Sequence, residues 1–137
     1  MIIKENVNIK TEIKKLLKEH SQEVGKTPNS PAKEEYSFAI YENDELVGGL
    51  VARSKNQEFY ISLLAVAKLY RGQGIGKKLL EYAKKKAHEL GCNHILVTTY
   101  SYQGAEFYPK MGFREMGRIS DYPEQNVDKI YFIKQLI

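Results

Sequence analysis

A mixed α/β fold is expected, an antiparallel meander leading into a parallel strand pair, with helices flanking the sheet. Two observations predict it. Three strand-like runs, Tyr36 to Tyr41, Leu46 to Ser54 and Glu58 to Val66, follow one another across short polar turns at Glu42-Asn43-Asp44-Glu45 and Lys55-Asn56, and connections that short join antiparallel neighbours. The last of these runs, an amphipathic helix opening near Gly74 and the run His94 to Thr99 then stand in the order strand, helix, strand, which implies parallel pairing.

Ile9, Ile13, Leu16 and Leu17 space a first helix from about Asn8 to His20, and Ser21 to Glu35, with Gly25, Pro28 and Pro31, reads as a loop. In the third strand, alternation puts Phe59, Ile61, Leu63 and Ala65 on one face and Glu58, Tyr60, Ser62 and Leu64 on the other. Ile75, Leu79, Ala83, Ala87 and Leu90 give the next helix an apolar stripe, and Gly91 is its natural stop. A short helix from about Gln103 to Lys110 and strands near Phe113 to Ile119 and Lys129 to Leu136 complete the pattern. With no repeat, low-complexity tract or linker, residues 1–137 read as a single domain.

Arg71-Gly72-Gln73-Gly74-Ile75-Gly76 is the most informative stretch. Glycines at alternate positions let the backbone turn tightly and approach a ligand closely, so that successive amide N–H groups point at one anion. The helix behind adds the positive end of its dipole. Arg71, Lys77 and Lys78 add charge suited to a polyphosphate. Two better-known glycine loops fit badly. Gly76-Lys77 is followed by Lys78 rather than Ser or Thr, and the strand Asn93 to Thr99 carries no acid to hold a ribose.

The stretch resembles the pyrophosphate-binding signature of the GNAT acetyltransferase superfamily, Arg/Gln-x-x-Gly-x-Gly/Ala, after a strand ending Leu-x-Val, here Leu64-Ala65-Val66. Tyr108-Pro109-Lys110-Met111-Gly112-Phe113 is similar to a second element of that family. The resemblance implies acetyl-CoA as cosubstrate: Leu64, Ala65 and Val66 along its pantetheine arm, and Arg71, Gly72, Gln73, Gly74, Ile75, Gly76 and Lys77 around its pyrophosphate. Ser101 stands where the family often has a cofactor-positioning asparagine. The resemblance also implies that Tyr108 faces the CoA sulfur and protonates the departing thiolate, with Phe107 as the core aromatic beside it. The family's usual second helix, a wall of the acceptor cleft, is replaced by the loop after His20, which leaves that pocket open or built by mobile residues.

Acetyl transfer to an amine needs a base, because an alkyl ammonium titrates near ~10.4. Relatives often carry an acid where this chain has Ser62, and Glu58 is roughly 13 Å back along the strand. A water relay through Tyr60 or Glu58 is therefore expected, the alternative being that Glu58 is a surface charge. Asp121 either holds a cationic acceptor or starts a turn with Tyr122-Pro123.

Composition bounds the remaining classes. No apolar run approaches the ~20 residues of a membrane span, Met1-Ile2-Ile3-Lys4-Glu5 does not suit a signal peptide, and a single cysteine, Cys92, forms no internal disulfide, so a cytoplasmic protein is expected. Cys92 reads as packing rather than as a thiol nucleophile. His20, His88 and His94 show no metal-ligand spacing, and no metal is expected. A net charge of +4 favours an anionic partner. Nucleic acid is unlikely, since Lys84, Lys85 and Lys86 lie off the apolar stripe and the tyrosines are scattered. The expected function is N-acetyl transfer from acetyl-CoA to a primary amine of a small molecule in a ternary complex. The alternatives are acetylation of a protein lysine or N-terminus, or a non-catalytic acyl-CoA sensor. A homodimer is left open by the resemblance.

Overall fold

The computed structural model describes residues 1–27 and 34–136. The chain divides into two compact units, Met1–Ser30 and Pro31–Ile137. The first holds one helix, α1 (Lys10–Glu23), which runs three residues past its expected end; Ser21 stays inside it by donating its hydroxyl to the Leu17 carbonyl at 3.1 Å. No residue of α1 is buried. The middle of the loop expected from Ser21 to Glu35 lies outside the described residues.

The second unit is a six-stranded sheet with two helices. Its elements are β1 (Glu34–Glu42), β2 (Glu45–Lys55), β3 (Glu58–Val66), a 3-10 turn (Lys68–Tyr70), α2 (Ile75–Glu89), β4 (His94–Tyr100), α3 (Phe107–Lys110), β5 (Arg114–Ile119) and β6 (Lys129–Gln135). The strands lie in the order β1-β2-β3-β4-β6-β5, antiparallel except for β3 and β4. Asn43 and Asp44, both at positive φ, close the β1–β2 hairpin as a two-residue turn whose twist suits the strands. Gly91, at φ +74°, ends α2: its N–H meets the His88 carbonyl and the Cys92 N–H meets the Ala87 carbonyl, which satisfies two of the helix's last acceptors.

The core lies between the sheet and α2. Ile75, Leu79, Leu80, Ala83 and Ala87 of the helix are buried with Ala52, Phe59, Ile61, Ile95, Val97, Ile130 and Phe132 of the strands. Leu90, expected in the stripe, is exposed, and Leu80 is buried instead. The helix turns ~100° per residue, so Leu80 shares the sheet-facing arc while Leu90 lies beyond the last full turn. Gly48 on β2 lets the start of α2 come close, because a Cβ there would stand 2.7 Å from the Ile75 side chain. The short helix α3 begins at Phe107, not Gln103, since Gly104 turns the chain through φ +72° just before it.

A β-bulge corrects the expected alternation in β3. Ala52 pairs with Ile61 and Val51 with Leu63, so Ser62 is the extra residue, and its hydroxyl donates to the Val51 carbonyl at 3.1 Å. Past the bulge the faces exchange. Leu64 and Val66 pack against the core, while Leu63 and Ala65, expected beside Phe59 and Ile61, turn out. Phe59→Ala is accordingly expected to cost about 3–5 kcal/mol by emptying a fully enclosed site, and Leu63→Ala less than about 0.5 kcal/mol, as read by urea unfolding; comparable losses would contradict the bulge.

Candidate acyl-transfer cleft

β3 and β4 pair over only four positions, Glu58 with His94 through Ile61 with Val97. Beyond them the strands part. β3 stays ordered because β2 continues to pair with it as far as Val66, but among the described residues its other edge has no strand neighbour there, and free strand-edge N–H and C=O groups call for a partner. The opening is a cavity of about 600 Å³ lined from both sheet faces, by Ile61, Val97 and Tyr108 from the core side and by Ser62, Thr98 and Tyr102 from the other.

A second cavity of about 600 Å³ adjoins it on the helix side, lined by Leu64 to Val66, Tyr70, Arg71, Gly72, Gly74 to Lys77, Gln103, Gly104, Phe107 and Tyr108. Gly72 and Gly74 have φ +77° and +80°, and a Cβ at either would meet nothing within 4 Å, so the turn is open on its ligand side. Gly74 is the N-cap of α2 and no side chain caps it, so the first-turn N–H groups are left to other partners. Gly76 lets Phe107 in, since a Cβ there would stand 3.2 Å from the ring. Arg71 donates from Nε to the Val66 carbonyl at 3.1 Å, which ties the turn to the end of β3 and, among the described residues, leaves its terminal nitrogens without a bond. Gln73 folds back to donate to the Leu69 carbonyl at 3.3 Å and does not line the cavity.

Tyr108 lines both cavities. Its ring is held against Phe107, Phe113 and Phe132, with centroids 5.3 to 5.7 Å away, and only 6% of the residue is exposed. Phe107 is the less buried of the pair, the reverse of the sequence expectation. Burial pushes the Tyr108 phenol up to about 12, so at neutral pH it is a proton donor. Tyr60 stands where the strands part, its hydroxyl 2.9 Å from Thr98 Oγ1. Glu58 is at the closed end of the pair, 3.2 Å from His94 Nε2, while His94 Nδ1 meets Asn93 Oδ1 at 2.6 Å; Glu58 lines neither cavity. Ser101 also lies outside them: its hydroxyl accepts from the Asp128 N–H at 2.9 Å. Asp121 caps its own loop, accepting from the Asn126 N–H at 2.9 Å.

Cys92 is buried and its thiol raised, first by desolvation and then by the Glu58 charge, which is unlike an activated nucleophile. Among the described residues no cluster of three His, Cys, Asp or Glu is placed to hold a metal, and no helix is long and apolar enough to cross a membrane. Thr98, Tyr102, Gln103 and Tyr70 were not anticipated as lining. Strand parity places Thr98 beside Tyr60, but no pattern in the sequence announces where two strands separate.

Residues 8–113 match the profile of the acetyltransferase (GNAT) family. The chain is 38% identical over 88 residues to blasticidin-S acetyltransferase of Streptomyces morookaense, a match covering 64% of the chain and 65% of the relative, so that it spans slightly less than two thirds of that protein. It is 30% identical over 106 residues to N-alpha-acetyltransferase 30 of Schizosaccharomyces pombe, covering 72% and 71% of the two chains. The crystal structure of an acetyltransferase from Bacillus cereus superposes with a TM-score of 0.79 at 28% identity, over 99% of this chain and 98% of the other.

The Tyr108 phenol predicts an alkaline stability slope. Below pH ~10 it is neutral in both states. Between ~10 and about 12 the unfolded chain ionises first while the native hydroxyl keeps its proton. Its contribution is complete below the first value and gone above the second, a fall of up to about 2.7 kcal/mol. Urea unfolding at pH 9 to 12 is expected to show this fall in the wild type and a shallower one in Tyr108→Phe.

Proposed function

The chain belongs to the acetyltransferase (GNAT) family, and on that premise we propose that it is an acetyl-CoA-dependent N-acetyltransferase of the cytoplasm, acting on a primary amine of a small molecule by direct attack in a ternary complex. One observation carries this reading. An open glycine turn at a helix N-terminus leads into a cleft that passes through the sheet, with a protonated tyrosine at the crossing. The 38% identical relative is named for acetylating blasticidin S, which favours a small-molecule acceptor. The match to an N-alpha-acetyltransferase favours a protein N-terminus as the second reading.

Acetyl-CoA supplies the acetyl group as a thioester whose sulfur leaves as a thiolate. The residues present suit it. Gly72, Gly74 and Gly76 bring backbone N–H groups and the helix dipole to a pyrophosphate, with Arg71 and Lys77 adding charge-assisted bonds. The backbone edge along Leu64, Ala65 and Val66, where Arg71 already occupies the Val66 carbonyl, takes an amide-bearing arm much as a sheet edge takes a peptide. Tyr108 donates its proton to the departing sulfur. Among the described residues no carboxylate lines the cleft, so the acceptor ammonium passes its proton to bulk solvent through water held by the Tyr60 and Thr98 hydroxyls. Glu58, engaged by His94, steadies the closed end of the strand pair.

Calorimetric titration with acetyl-CoA is expected to show binding that Gly74→Glu abolishes and Gly74→Asn, which tolerates a positive φ, weakens only several-fold. Equal binding by all three proteins would rule out the cradle. In a thiol-release assay Tyr108→Phe is expected to lower kcat by about 100-fold with little change in KM, the range for a lost general acid.

A further inference from the structure

The face of the sheet turned away from α2 carries a continuous row of polar aromatic groups. Arg53 on β2 pairs with Tyr60 on β3 and lays its guanidinium 4.6 Å from the ring centroid. The Tyr60 hydroxyl meets Thr98 on β4, and Thr98 pairs with Tyr131 on β6. Lys129, two residues before Tyr131 and therefore on the same face, leans back so that its ammonium lies 5.4 Å from the Tyr131 ring and 5.8 Å from that of Tyr122. The row crosses four strands at the mouth of the cleft, because Thr98 lines the cavity and Tyr102, stacked on Tyr100, lines it too.

The free charge of this row at its β6 end is positive, while at its other end Glu35 on β1 stands in register with Arg53, and Glu58, on the same face, is met by His94 at 3.2 Å. Among the described residues no carboxylate lies within ion-pair distance of Lys129 or Arg53. The nearby acids are engaged elsewhere: Asp128 by Arg118 at 2.9 Å and Asp121 by its own loop. Lys129 is raised above its ordinary range, first by the Tyr131 phenol, and remains an ammonium. An acceptor with a second cation would meet a like charge at Lys129.

We propose that the acceptor amine enters the cleft from this face and bears an oxyanion, a carboxylate or a phosphate, which Lys129 receives beside Tyr131 and Tyr122 while the amine reaches Ser62 and Thr98. The proposal rests on the acetyltransferase reading above and adds the acceptor's chemical class. Lys129 binds the oxyanion as a point charge, and the rings supply a flat apolar surface for the carbon skeleton.

The test is thiol release from acetyl-CoA with matched amines: tyrosine against tyramine, O-phosphoethanolamine against ethanolamine, and spermidine as polycation. Acetyl-CoA binding is measured on the same samples. A kcat/KM at least tenfold higher for the oxyanion member of one pair is expected, the pair showing the preference telling carboxylate from phosphate. That ratio is expected to fall toward one in Lys129→Gln, return in Lys129→Arg, and give way to a preference for spermidine in Lys129→Glu. Neutral amines or spermidine used as well as the oxyanion amines, or a preference that survives Lys129→Gln, would overturn it. So would acetyl-CoA binding with no transfer to any of the five amines; failure of acetyl-CoA binding itself would instead remove the reading on which the proposal stands.

Discussion

The separation of β3 from β4 after only four paired positions is the constraint on which the rest of the site depends. A buried parallel pair would ordinarily continue, since each further residue adds ladder hydrogen bonds. Here the gap is kept open by what lies on either side of it. β2 holds β3 in place through Val66, β6 holds β4 through Tyr100, and Tyr108, packed on Phe107, Phe113 and Phe132, occupies the core side of the opening. The sheet therefore remains continuous at one end and divides at the other, which leaves the edge along Leu64 to Val66 with no strand partner among the described residues.

That division separates two chemical environments. On the helix side the glycine turn and the uncapped first turn of α2 present backbone donors. On the other side the surface carries tyrosine, threonine and the cations Arg53 and Lys129. In the proposed reaction a donor substrate held by one side and an acceptor approaching from the other meet at the opening, where reacting groups gain from being fixed in position. The tight fit of Gly48 under Ile75 holds α2 against the sheet near Val66, so the glycine turn and the strand edge are spaced as one unit.

Ser62 shows how one residue serves structure where an acid would serve chemistry. It is the extra residue of the bulge and its hydroxyl is bonded to Val51. A bulge increases local twist and redirects the side chains that follow. Here it brings Leu64 and Val66 onto the core and turns Leu63 and Ala65 outward. In the proposed reaction the acceptor's proton leaves instead through hydroxyl groups and water, beside the Tyr60–Thr98 contact.

The local elements were legible in the sequence. Two-residue turns, a glycine helix stop, an amphipathic stripe and a run of alternating glycines are each set by the backbone preferences of adjacent residues, and the strand, helix, strand order follows from them. Three features were not. The bulge at Ser62 arises from register with β2, the deep burial of Tyr108 from aromatic neighbours on α3, β6 and the turn before β5, and the row from Arg53 to Lys129 from strands distant in sequence. Periodicity reports which side of its own strand a residue occupies. Only pairing between strands decides which residues share a face across the sheet, and it was that pairing, not any local preference, that opened the cleft and determined what lines it.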